Sequence, residues 1–134
     1  MRKFLTNIFL ISFFFVVNAQ SFTGEQLKQG YALFSDRLTF LYDADIYGTS
    51  PERVYVTGSF RGWDAAFNKD WELKKSGAIW SLTMENEDDL KIPARSEFKF
   101  LIDNVQWQDL PHSPLNEKGG NLVYKYDAFV PSFK

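Results

Sequence analysis

From residue 37 onward, apolar and polar residues alternate with a period of two over short stretches, the pattern of β-strands with one face buried. Residues 38–44, 53–60, 71–74, 78–84, 97–102, 105–107 and 122–126 read as strands. Turn-forming residues separate them, at 48–51, Ser76-Gly77, Asp103-Asn104 and Gly119-Gly120. Short strands at this spacing, with no helical pattern between them, predict an all-β fold, an immunoglobulin-like β-sandwich over residues 37–130. Residues 20–36 differ in texture. There Thr23 can cap a short helix in which Leu27, Tyr31 and Phe34 recur at helical spacing and pack on the domain edge, although Gly30 interrupts the run.

Alternation also assigns faces. Trp80, Leu82 and Met84 share one side of their strand and belong to the core, while Ser81 and Thr83 take the other. Phe98, Phe100 and Ile102 point inward, which sends Lys99 and Leu101 outward. Asn104 suits a left-handed position in the hairpin turn that Trp107 closes, so Trp107 is expected near Lys99 at a sheet edge. Trp71 shares its parity with Leu73 and is assigned to core or rim packing. The run V-Y-V-T-G-S-F-R-G-W-D at residues 54–64 carries a strand through Phe60 into a turn of Arg61, Gly62 and Trp63. A large aromatic delivered to a polar, glycine-containing turn needs a reason, and a flat platform for a sugar ring supplies one. The plainer reading of Trp63 is a hydrophobic plug at the end of the sandwich.

The first residues carry another signal. Arg2 and Lys3 precede a mostly apolar run from Phe4 to Val17, followed by Val17-Asn18-Ala19, which matches a secretory signal peptide spanning residues 1–19. A membrane-spanning helix would need roughly 20 apolar residues, and this run is shorter and broken by Thr6, Asn7 and Ser12. The expectation is a secreted or periplasmic protein with no membrane attachment after cleavage.

Composition narrows the chemistry. The net charge of −2 becomes more negative once Arg2 and Lys3 leave, and no basic stripe exists to neutralise phosphates, which argues against nucleic acid. The acidic run at residues 85–89 reads as a solvated loop. With no cysteine, the chain has no disulfide, thiolate nucleophile or cysteine-ligated metal. Its one histidine, His112, sits between prolines without a nucleophile-elbow pattern. Asp43 and Asp45 are explained by turn capping. Nothing carries catalysis, a cofactor or a metal, so a non-enzymatic role is expected.

Three stretches taken together resemble a known family. V-T-G-S-F-R-G-W-D, then L-K-K-S-G-A-I-W-S-L at residues 73–82, then E-F-K-F-L-I-D-N-V-Q-W-Q-D at residues 97–109 are similar, in order, to the family-48 carbohydrate-binding module. This is the glycogen-binding module of the AMP-activated protein kinase β subunit, and the likeness extends over residues 38–126. The resemblance implies an immunoglobulin-like sandwich that binds α-1,4-linked glucose chains with two tryptophans and a lysine, matching Trp63, Trp107 and Lys99. Asn121 matches the first polar position of the last contact segment. Val123 stands where relatives carry a second asparagine, which removes one donor and one acceptor for sugar hydroxyls.

The residue types suit that ligand. A pyranose has a C–H face and a hydroxyl rim, so an indole serves the first, lysine and asparagine the second. Covering about 100 Å² of apolar sugar surface contributes about 2.5 kcal/mol per platform before association costs. Two platforms reach roughly millimolar affinity. The expected function is a non-catalytic module that holds an α-glucan or another polysaccharide or oligosaccharide, with a glycan-active enzyme as a further partner. The alternative is a protein-docking domain of the same fold that has lost the sugar. The plainer readings of the other residues are an edge-strand cover for Trp107, a solvated lysine that discourages strand pairing for Lys99, and a turn residue for Asn121.

Overall fold

Thr23 does cap a helix, and the helix is shorter than its stripe of apolar residues suggests. In the computed structural model, which describes residues 21–110 and 114–126, α1 covers Gly24–Gln29. The Thr23 hydroxyl accepts from the Gln26 amide and the Gln26 side chain accepts from the Thr23 amide, a complete capping box. Gly30 ends the helix at φ 85°, the left-handed conformation that costs glycine least. Tyr31 and Phe34 therefore leave the helical stripe and enter a strand, β1, Tyr31–Phe34. The expected signal peptide at residues 1–19, His112 and residues 127–130 of the expected domain lie outside the described residues.

Two antiparallel sheets follow, forming an all-β sandwich. The first has the order β1-β2-β5-β4, with β2 at Arg37–Asp43, β4 at Lys74–Ser76 and β5 at Ile79–Glu85. The second has the order β3-β6-β9-β8, with β3 at Val54–Gly58, β6 at Glu97–Ile102, β8 at Glu117–Lys118 and β9 at Asn121–Val123. The hairpin strand β7, Gln106–Gln108, pairs with the far half of β6. The Asp43 carboxylate accepts the Asp45 amide and caps a one-turn helix, α2, Ala44–Tyr47, so the turn-capping expected here falls to Asp43, with Asp45 supplying its backbone N–H.

The core lies between the sheets and is aromatic. Phe40 and Tyr42 of β2 meet Phe98 and Phe100 of β6 edge to face, at ring separations of 5.1 and 5.4 Å, the geometry favoured by ring quadrupoles. Trp80 is buried with them, and Leu82, Met84 and Ile102 pack against the cluster, as alternation predicts. Trp71 packs at the rim against Phe60, with ring centroids 5.3 Å apart.

Several boundaries depart from expectation. The strand expected at 71–74 begins only at Lys74, because Lys69–Trp71 forms a 3-10 turn capped by the Asn68 side chain. The strand expected at 53–60 stops at Gly58, where Ser59–Arg61 turns into a 3-10 helix. The final strand stops at Val123, as Tyr124 and Lys125 bond elsewhere. In the β6–β7 turn, Asp103 and Val105, not Asn104, take left-handed backbone angles, with φ 49° and 59°. The Asp103 carboxylate accepts the Glu52 and Arg53 amides across the turn, at 2.7 and 3.2 Å, which accounts for the displaced geometry.

Gly30 is also a packing position. A Cβ added there would lie 2.7 Å from Leu122 Cδ1 and 3.1 Å from the Phe98 ring. Gly30→Ala combines left-handed strain with overpacking, so a loss of about 2–3 kcal/mol is expected in urea denaturation.

Candidate functional site

The outer face of the second sheet is built by register. Thr57 of β3 stands opposite Lys99 of β6, and Tyr55 opposite Leu101, which in turn stands opposite Trp107 of β7. These side chains point away from the core, as expected for Lys99 and Leu101. The face is nevertheless covered: Tyr55, Thr57 and Leu101 are all buried. Alternation finds the side of a strand and is blind to a loop that folds over it.

The cover is the segment after β3. The Thr57 hydroxyl donates to the Asp64 carbonyl at 2.6 Å, and Phe67 lies on Tyr55 with ring centroids 4.8 Å apart. Arg61 braces the loop by donating from its guanidinium to the Val56 carbonyl at 2.9 Å and the Ala66 carbonyl at 3.3 Å. Partial burial lowers the Arg61 pKa, with Asp64 opposing that shift. Leu73 donates its amide to the Val54 carbonyl, and Tyr55 bridges to Glu72, so the loop returns alongside β3.

Trp63 is aimed by this backbone. Gly62 and Trp63 adopt successive left-handed angles, φ 61° and 59°, and the Trp63 amide donates to the Gly58 carbonyl at 2.9 Å. A left-handed tryptophan is costly, and such strain collects where a side chain must be presented in a set direction. Its ring meets that of Trp107 at a centroid distance of 6.2 Å and a tilt of 52°. Trp107 is 46 % exposed. The two indoles form an open wedge, not one flat floor.

Polar groups flank the wedge. The Lys99 side chain is only 16 % exposed, and its ammonium lies 3.2 Å from Asp109, whose side chain is 92 % exposed. The expectation of a lysine on an open surface is corrected in degree: Lys99 is largely covered, with its charged tip at the rim. Asn121 donates to the Glu97 carboxylate at 3.0 Å, and Lys118 approaches the other Glu97 oxygen at 3.9 Å. Val123 is buried and offers nothing to a ligand. Trp63, Trp107 and Lys99 thus come together on one face, while Asn121 belongs to a neighbouring Glu97–Lys118 group. Sequence reasoning missed Asp109 as the partner of Lys99. It lies in the quoted W-Q-D stretch, on the Trp107 strand's parity, which could have signalled it.

The acidic run forms a separate feature. Glu85, Glu87 and Asp88 are exposed, as expected of a solvated run, while Asp89 accepts from the Tyr124 hydroxyl at 2.6 Å and the Lys125 ammonium at 2.9 Å at the end of a tight turn, Glu87–Asp89. These bonds, Tyr124 first and Lys125 next, hold the Asp89 carboxyl below the usual range. A depressed folded pKa means the contribution to stability is present above the unfolded value of about 4 and is lost as pH falls through the folded one. Asp89→Asn is expected to lower the melting temperature at neutral pH, with the difference from wild type shrinking in acid. A gap independent of pH would contradict this.

Among the described residues there is no cluster of three or more metal-ligating side chains, and no helix is long and apolar enough to cross a membrane. No model of a known protein family matches the chain, and no curated protein does.

Proposed function

We propose that the protein is a secreted or periplasmic, non-catalytic carbohydrate-binding module of the family-48 type, which holds α-glucan chains against Trp63 and Trp107. The observation that carries this reading is the meeting of two tryptophans from separate elements, 6.2 Å apart, on the sheet face that also carries Lys99. A helical glucan chain is curved, and a wedge of two indoles follows a curved strip of C–H faces better than one plane does. Lys99, with Asp109, supplies a donor and an acceptor for hydroxyls at the rim.

The second reading, a docking domain without sugar, draws on Val123, whose burial leaves the last strand without a polar contact at that position. Calorimetry against maltoheptaose, glycogen and unrelated glycans, with a pull-down on insoluble starch, separates the two. Weak affinity for maltoheptaose, on the order of millimolar, and retention on starch are expected. Absence of both would leave the docking domain standing.

A further inference from the structure

Beside the tryptophan pair, the same face carries a cleft of about 620 Å³ that none of the four candidate sugar contacts lines. Tyr55 and Phe67 form its aromatic side, and Phe67 is 46 % exposed. The Arg53 guanidinium lies 4.8 Å over the Phe67 ring. Glu52, Asp103 and Val105 complete the wall. Both amide bonds to the Asp103 carboxylate end on Oδ1, and the residue is exposed. Val105, a β-branched residue, is held at φ 59°, a conformation that persists only where the surroundings impose it.

A half-exposed ring packed between Tyr55 and the Arg53 guanidinium, with carboxylates at its margin, offers the apolar and polar groups that a pyranose needs. The exposed part of the ring takes C–H groups, and the carboxylates, with the Arg53 N–H groups not spent on Tyr55 and Glu72, take hydroxyls. Tyr55, Leu101 and Trp107 lie in one row across three strands, so the cleft and the tryptophans are roughly 9–10 Å apart. That separation suits rings of one chain with at least one residue between them. A disaccharide seated on the tryptophans would end short of the cleft.

We infer that this cleft is a second sugar subsite, which receives the part of an α-glucan chain running past Trp107 and makes the face selective for longer chains. The inference rests on the reading of Trp63 and Trp107 as sugar platforms. Phe67→Ala and Arg53→Gln, each checked for folding by thermal melting, test it by NMR titration with maltose and maltoheptaose. The ratio of maltoheptaose to maltose affinity is expected to fall about three- to tenfold in each variant. In the wild type, amides of residues 52, 53 and 103–105 are expected to shift with maltoheptaose and to stay still with maltose. Arg53 is exposed at the surface, so its variant remains informative if Phe67→Ala fails to fold. An unchanged ratio in the folded variants overturns the subsite while leaving the tryptophan platforms intact. If wild-type protein binds neither sugar, the platform reading fails and this inference falls with it.

Discussion

Trp63→Ala and Trp107→Ala should each weaken maltoheptaose binding by about tenfold or more, and the double variant should show no measurable binding. Each indole offers about 2.5 kcal/mol of gross apolar contact, and a loss of 1.4 kcal/mol is already tenfold. The two effects should not add. The rings touch at 6.2 Å, so removing one frees the other to move, and part of the second loss is incurred with the first. A double-mutant cycle by calorimetry therefore reads a coupling term as well as two single effects. Trp107 is half-exposed, and its removal should shift the melting temperature by only a few degrees, which separates lost binding from lost folding. Affinity unchanged in both single variants would rule out the site.

Phe98→Ala should cost about 3–5 kcal/mol, the largest loss of stability expected from one substitution in this domain. Phe98 is fully buried and meets Phe40, Phe100 and Tyr31 at ring distances of 5.1, 5.9 and 6.2 Å. It also lies against Gly30, where the N-terminal helix ends. Truncation would open a cavity touching both sheets and the helix terminus. Against a total stability of about 5–15 kcal/mol, that loss leaves a small domain marginal or unfolded at 37 °C. A guanidinium titration reading less than about 1 kcal/mol would mean that the core repacks around the gap.

These expectations rest on features the sequence exposes unequally. The inward parity of Phe98 and Phe100 is legible because a two-residue period has one phase that buries aromatics and another that carries Glu97 and Lys99. β1 was not legible: Tyr31 and Phe34 fit helical spacing as well as strand spacing, and only the left-handed Gly30 decides between them. β8 has two residues, Glu117 and Lys118, too few for any period. For the candidate site, turn chemistry and alternation could place Trp63, Lys99 and Trp107 outside the core, and the resemblance singled them out as sugar contacts. The burial of Thr57 and Leu101, the bracing by Arg61 and the cleft over Tyr55 could not. All three depend on where residues 59–73 come to rest, and that is set by bonds from the Thr57 and Arg61 side chains to nearby carbonyls and by the Leu73 amide on Val54, which leave no periodic pattern in the sequence.

The same segment has a role apart from any ligand. By returning along Val54–Gly58, it occupies backbone groups that would otherwise be offered to a strand of another molecule. The loop that aims Trp63 thus also covers this edge of the sheet. Shortening or grafting that loop to alter ligand preference would leave an apolar strand open as a template for self-association, so specificity and solubility are tied to one stretch of chain.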